Sequence, residues 1–220
     1  MRIRSTLLAA TAAVLLLALG TGTAAASRSF SVVGGGQAIL AIATALTFRD
    51  PATGVNIINR VTMHGSIHSL IAKTVGSLAG VITSVLTGDE TVCRDSLGVT
   101  CSTLPQELPW HIQLLAFTGT LPEITSITIL LVEAAFLLRL GGRPLPGLEG
   151  TECLYKGRAG GIGRTVADPA GRRIETLEAD ERKPLPLIRI LNEEFFRRCP
   201  REGVFRGIFT LAPLIIIRLH

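Results

Sequence analysis

The chain contains few aromatic residues: one tryptophan, one tyrosine and eight phenylalanines among 220 residues. Carbohydrate-binding sites rely on exposed aromatic platforms, so this scarcity counts against a glycosidase and against a carbohydrate-binding module. Membrane-spanning β-barrels carry girdles of aromatic residues at both interfaces of the bilayer. The low aromatic content therefore also weighs against a barrel of that kind.

A strong charge of one sign is lacking as well. The formal net charge is +5 at pH 7, and it falls to about +3 when the two arginines of the leader described below are set aside. Nucleic-acid-binding domains need a concentrated basic face, so we expect no nucleic-acid partner. The chain also has no CxxC motif and no Cys-His cluster of the kind that zinc sites use. We therefore expect no metal and no other cofactor.

The first residues have the three parts of a secretory signal peptide. Arg2 and Arg4 give a positive start, residues 6–20 form a short apolar run, and a series of small residues ends at Ala26. This pattern predicts that residues 1–26 are a signal peptide cleaved near Ala26. The protein is then secreted or associated with the cell envelope. The alternative interpretation is an N-terminal membrane anchor.

Four cysteines follow the leader: Cys93, Cys101, Cys153 and Cys199. Disulfides persist in oxidising compartments, which agrees with export. Cys93 and Cys101 enclose a short loop that one local disulfide would close, leaving Cys153 to pair with Cys199. Two other pairings are open on sequence grounds. We predict two disulfides, and a long-range bridge adds roughly 3–4 kcal/mol of stability.

Alternation of apolar and polar residues with a period of two recurs along residues 27–220, as expected of half-buried β-strands. Turns rich in glycine and proline separate the apolar segments. We therefore predict a single all-β domain, either an antiparallel β-sandwich or a barrel, with an immunoglobulin-like arrangement among the options. The strands expected with the clearest patterns cover residues 29–32, 39–48, 55–63, 110–117, 124–140, 204–211 and 214–219.

One short helix is a candidate near residues 187–198. Leu187, Ile190 and Leu191 fall at helical spacing, and the prolines just before them are compatible with the start of a helix. A strand over residues 187–191 fits the same residues equally well.

Several motifs occur in a recognisable order. Residues 34–55 follow the pattern GxGxAxLxxxTALTFxDPATGV, and LPWHIQ, GTLPEIT and FRGIFTLAP follow at residues 108–113, 119–125 and 205–213. In this order they resemble an uncharacterised family of small secreted actinobacterial β-rich proteins. The resemblance implies a β-rich exported fold, and it implies no activity.

Three histidines are candidates for metal binding or catalysis: His64, His68 and His111. His64 and His68 would share one face of a helix and could hold a metal ion there, but Gly65 disfavours a helix, and on a strand the two positions lie about 13 Å apart. His111 follows Trp110 at the start of a predicted strand, and a catalytic base is one interpretation. No GxSxG motif accompanies it, so we expect Trp110 to anchor the core and His111 to face solvent.

Two further segments suggest chemistry and have simpler interpretations. The glycines of residues 157–163 superficially resemble a phosphate-binding loop, but turn-forming residues follow them, so we predict a flexible hairpin tip and a mobile surface segment over residues 159–181. The acidic side chains of Glu178, Asp180 and Glu181 would suit a glycosidase if they were paired across a sugar. A solvated charged loop is the simpler prediction.

The unusual feature of the sequence is the apolar character of both faces of some predicted strands, above all residues 127–139 and 214–219. Two apolar faces indicate either a strand covered on both sides or a face that meets lipid, a ligand or another subunit. We expect a non-catalytic exported protein that binds a lipid or apolar ligand, contacts the cell envelope or associates with itself. The alternatives are an envelope pore-type β-barrel and a secreted hydrolase.

Overall fold

The computed structural model describes residues 29–32, 37–52, 56–72, 76–88, 94–95, 101–120, 123–141, 151–192 and 199–219. All regular structure in these ranges is β-strand, which confirms the predicted all-β class. Fourteen strands follow one another along the described ranges: Ser29–Val32 (β1), Gln37–Arg49 (β2), Asn56–Ile67 (β3), Leu70–Ala72 (β4), Leu78–Thr87 (β5), Arg94–Asp95 (β6), Cys101–Gln106 (β7), Trp110–Thr120 (β8), Glu123–Leu140 (β9), Thr151–Asp168 (β10), Gly171–Asp180 (β11), Leu185–Asn192 (β12), Glu202–Arg206 (β13) and Ile208–Leu219 (β14).

Eight of these strands close an antiparallel barrel. They pair in the order β2, β3, β5, β8, β9, β10, β11 and β14. The last strand then pairs back with the first, where residues 210–212 lie opposite residues 40–42. Each barrel strand lies beside the next one along the chain, which is the up-and-down arrangement. Of the two predicted architectures, the barrel is the one observed.

A set of shorter strands lengthens the wall at one end, and we call β7, β12 and β13 the barrel extension. β9 and β10 are each 18 residues long; β7 pairs with the second half of β9, β12 pairs with the first part of β10, and β13 links β12 to β2. At the opposite end of the barrel, β1 pairs with β14 and β4.

The change from barrel to extension is marked in the backbone. Along β9 the neighbour changes from β8, opposite Val132, to β7, opposite Ala135. Glu133 lies between them with φ 61°, and Glu107 lies between β7 and β8 with φ 52°. This left-handed region costs residues other than glycine about 1 kcal/mol. Both left-handed residues therefore lie where the barrel meets the barrel extension.

The strand pattern arises from side chains that alternate between the barrel interior and the outside. Along β3 the buried positions are Ile57, Asn59, Val61 and Met63, and the intervening residues are exposed or half-buried. In β9 the alternation is lost, because residues 134–138 are all buried. The outward-facing member Leu137 lies between its cross-strand neighbours on β7 and β10. Burial on both faces explains the doubly apolar sequence of this strand.

The prediction for residues 187–198 needs correction over the part that the structure describes. Residues 187–192 belong to β12, so the helix is wrong there and the strand alternative is confirmed; residues 193–198 lie outside the described ranges. The physical reason is pairing: Cys153 lies opposite Ile190 and Tyr155 opposite Leu187. Partner strands satisfy the backbone here, and only Leu185 of this strand is fully buried.

The glycine-rich segment after residue 157 is also corrected. It is neither a phosphate-binding loop nor a flexible hairpin tip, because it forms the middle of β10. The mobile segment predicted over residues 159–181 is the hairpin of β10 and β11, which pair from Gly160 opposite Asp180 to Asp168 opposite Gly171. A short turn joins the strands, and the backbone N–H of Ala170 donates to Asp168 Oδ1 at 2.9 Å.

The long-range disulfide is confirmed. Cys153 on β10 is bonded to Cys199, and the sequence separation is 46 residues. Cys101 is also disulfide-bonded, whereas Cys93 and residues 1–28, with the predicted signal peptide, lie outside the described ranges. A buried disulfide of this kind is consistent with an oxidising, extracellular environment.

Candidate ligand-binding site

The barrel interior is not filled at the end that carries the barrel extension. The first cavity has a volume of about 100 Å³, several times the space that a single water molecule needs. Nearly all of the lining side chains are apolar: Leu46, Phe48, Ile57, Asn59, Val61, Met63, Val85, Thr87, Thr103, Pro105, Trp110, Ile129, Leu131, Ala134, Phe136, Leu138, Ala159, Leu177, Ala179, Phe205 and Phe209.

A second cavity of about 80 Å³ occupies the other half of the barrel. Its lining includes Ile39, Ile82, Ile112, Leu114 and Ile215, among other apolar residues. The two cavities adjoin, and four side chains border both of them: Met63, Ile129, Leu131 and Leu177. Among the described residues that line either cavity, none carries a charge.

One barrel strand, β10, presents small residues to the interior. The buried positions of β10 include Ala159, Gly161 and Gly163. A Cβ atom at Gly161 would lie 2.9 Å from Leu177 Cδ2, and one at Gly163 would lie 3.1 Å from Ile174 Cγ2. The side chains of Leu177 and Ile174 fill the space beside these two glycines, so a larger residue at either position would have to displace them.

One polar group interrupts the apolar wall of the first cavity. Asn59 is 5% exposed; its Nδ2 donates to Thr103 Oγ1, and Thr87 Oγ1 donates to the Thr103 carbonyl at 2.6 Å. Asn59 Oδ1 is buried and has no hydrogen-bond partner among the described residues. Leaving a buried polar atom unpaired costs about 1–3 kcal/mol, so the cavity wall contains an unsatisfied acceptor.

Four aromatic rings pack beside this cavity: Phe48, Phe136, Tyr155 and Phe205. Phe48 contacts Tyr155 edge to face at 4.9 Å between ring centroids, and Phe136 stacks on Tyr155 at 5.3 Å. Tyr155 is fully buried, and its hydroxyl donates to the Pro200 carbonyl at 2.8 Å. Burial, and secondarily the nearby carboxylate of Asp50, raise the pKa of Tyr155 well above its usual range. The cluster stiffens the wall where the Cys153–Cys199 bridge is attached.

Trp110 and His111 lie as expected from the sequence. Trp110 is buried at the start of β8, lines the first cavity and donates from Nε1 to the Gln106 carbonyl at 2.9 Å. His111 is exposed on the other face of the same strand. It therefore points away from both cavities.

His64 and His68 do not form a site with other candidate ligands. Both are exposed, and His64 belongs to β3, whereas His68 directly follows that strand. Within the described ranges, no group of three or more His, Cys, Asp or Glu side chains has the arrangement of a metal site.

Two of the three side chains of the acidic cluster, Asp180 and Glu181, form ion pairs. Asp180 is buried and accepts from Arg182 through both carboxylate oxygens, at 2.7 Å from Nε and 3.0 Å from Nη2. This hydrogen-bonded arginine lowers the pKa of Asp180. Glu181 pairs with Arg206 at 3.3 Å, and Glu178 is exposed. These carboxylates therefore lie on the outside of the barrel wall. The prediction of a solvated loop is wrong for Asp180, because this side chain is buried.

Sequence reasoning missed Asn59, although a signal was present. The predicted strand over residues 55–63 places Ile57, Asn59, Val61 and Met63 on one face. An amide in an otherwise apolar row, on a strand assigned to a core, requires a partner or a ligand.

Comparison with family models, with curated proteins and with solved structures found no match. Among the described residues, no helix has the length and apolar character required to span a membrane.

Proposed function

We propose that this protein is an exported, non-catalytic binding protein that holds a small apolar molecule inside its barrel. The observation that carries the proposal is the pair of adjoining, uncharged cavities in the barrel interior. Small-molecule sites are concave and mostly apolar, with a few placed polar groups. The first cavity has this composition, because Asn59, Thr87 and Thr103 are its polar lining residues.

The energetic cost of the cavities favours an occupant. An apolar cavity lowers stability by about 24 cal/mol per Å³, so volumes of about 100 and 80 Å³ together cost about 4 kcal/mol. Protein interiors are otherwise close-packed. Space left open inside the barrel is therefore better explained by a ligand than by inefficient packing.

The pore and hydrolase alternatives receive no comparable support. A pore-type barrel has a polar, water-filled interior and an apolar outer band, whereas the interior here is lined by apolar side chains. A hydrolase built on His111 needs that side chain at a substrate site, but it is exposed on the outer face. Export itself is part of the proposal and is supported by the leader sequence and by the Cys153–Cys199 bridge.

Native mass spectrometry of the protein, expressed with its leader and recovered from the growth medium, tests the proposal directly. We expect a chain cleaved near Ala26, two disulfides that disappear on reduction, and a bound apolar molecule of low mass. Self-association would appear as a multiple of the chain mass and envelope attachment as failure to enter the medium. A protein that enters the medium with no bound small molecule and does not bind naphthalene by calorimetry would contradict the proposal.

A matched pair of variants locates the site. Ala159→Leu enlarges a buried side chain that lines the first cavity, so naphthalene binding should be lost while the circular dichroism spectrum is kept. Arg158→Ala alters an exposed position on the same strand and should bind like the wild type. Equal binding by both variants would place the ligand elsewhere.

A further inference from the structure

The proposed apolar site contains one atom that the protein leaves unsatisfied. Asn59 Oδ1 is buried in the wall of the first cavity without a partner among the described residues. The amide nitrogen of the same side chain donates to Thr103 Oγ1, and the backbone carbonyl of Thr103 accepts separately from the Thr87 hydroxyl. With its nitrogen engaged, the Asn59 side chain has its oxygen left as the free acceptor.

We propose that Asn59 recognises a hydrogen-bond donor on the ligand, and that the ligand class is an uncharged, mainly apolar molecule with a hydroxyl group. This inference rests on the proposed function and adds the polarity of the ligand to it. An amide oxygen accepts hydrogen bonds and cannot donate them. A hydroxyl group satisfies it, whereas an ether or a hydrocarbon does not.

The same cavity wall indicates that the ligand is uncharged. None of the described lining residues is ionisable, and transferring a charged group to an apolar site without a partner is strongly unfavourable. A carboxylate would in addition place negative charge against the Asn59 oxygen. Fatty-acid anions are therefore excluded from this position, and neutral alcohols and phenols are favoured.

The position of Asn59 determines which residues the rest of the ligand would contact. It lies on β3 between Ile57 and Val61, both of which line the first cavity. The apolar body of a ligand bound at Asn59 would contact these residues and the rings of Phe48 and Phe136, which line the same space. A molecule with a polar group at one end and a compact hydrocarbon body at the other fits this distribution.

Isothermal titration calorimetry with three matched probes tests the inference: naphthol donates a hydrogen bond, methoxynaphthalene only accepts one, and naphthalene does neither. The wild-type protein should bind naphthol about tenfold more tightly than either of the other two, as expected for one net hydrogen bond. In Asn59→Leu, which replaces the amide with methyl groups of similar size, the tenfold preference should disappear while naphthalene still binds.

Each outcome separates the inference from the proposed function. Equal binding of all three probes by the wild type would overturn the role of Asn59 and keep the apolar site, as would tighter binding of methoxynaphthalene or an unchanged naphthol preference in Asn59→Leu. Failure of every probe to bind would overturn both proposals. The wild-type comparison stands even if Asn59→Leu does not fold.

Discussion

The buried phenol of Tyr155 makes the stability of the protein depend on alkaline pH in a way that can be measured. The side chain is fully buried and donates to the Pro200 carbonyl, so ionisation would place a charge in the aromatic cluster and remove the hydrogen bond. The pKa of Tyr155 is therefore raised in the folded state, whereas in the unfolded chain it is about 10.

The direction in which the free energy of unfolding changes with pH follows from proton linkage. Above about pH 10 the unfolded state releases the proton and the folded state keeps it, so the free energy of unfolding falls as pH rises. The slope is about 1.4 kcal/mol per pH unit until the raised pKa of the folded state is reached. Below about pH 10 the phenol is protonated in both states and contributes no pH dependence.

The assay uses the fact that the chain has a single tyrosine. Near-ultraviolet absorbance of the tyrosinate ion should remain absent in the native protein at about pH 11 and appear near pH 10 in urea. In parallel, the free energy of unfolding, measured with urea, should fall more steeply with pH above about pH 10 for the wild type than for Tyr155→Phe. The lysines titrate equally in both proteins, so the difference between them reports Tyr155. Tyrosinate absorbance appearing near pH 10 in the folded protein would refute the reasoning.

Three other expectations concern stability. Replacing the Cys153–Cys199 bridge, which spans 46 residues, with two alanines should lower the free energy of unfolding by about 4 kcal/mol, as measured by urea unfolding; a loss below about 1 kcal/mol would contradict the constraint. Asp180 has a lowered pKa in the folded state, so the stability advantage of wild type over Asp180→Asn should be present at neutral pH and shrink as pH falls below about 4; an advantage that grows in acid would contradict it. Ile112→Ala, at a buried core position, should cost about 2–5 kcal/mol in the same assay, and a cost near zero would place this residue outside the packed core.

The predictability of the fold differed between strands for a physical reason. In β8, Trp110, Ile112 and Leu114 alternate with His111 and Gln113, so a period of two predicts this strand from local sequence. Within β10 the sequence predicts a hairpin tip at residues 157–163, because the inward row of this strand contains Ala159, Gly161 and Gly163, which bury well but carry no hydrophobic signal. Glycine is common in turns, which favours a loop. Here the glycines instead leave room for Leu177 and Ile174 to pack against the strand.

The closure of the barrel could not be predicted from local sequence patterns. The pairing of β14 with β2 joins residues some 170 positions apart, and no turn or alternation encodes such a contact. The same holds for β12, where helical and extended spacing were equally compatible until pairing with β10 decided between them. For the site, Asn59 was visible as an anomaly in an apolar row, but the empty space beside it depends on side chains from many strands.

The pairing of β2 with β14, which closes the barrel, bears on how the proposed ligand would enter. Only residues 40–42 and 210–212 are in register across it, whereas β9 and β10 are paired over thirteen positions. Pro213 follows directly and has no N–H to extend the ladder. Ala41 and Leu211, which belong to this pairing, also line the second cavity. Separation of these two strands would break few hydrogen bonds, and it would uncover the second cavity at Ala41 and Leu211.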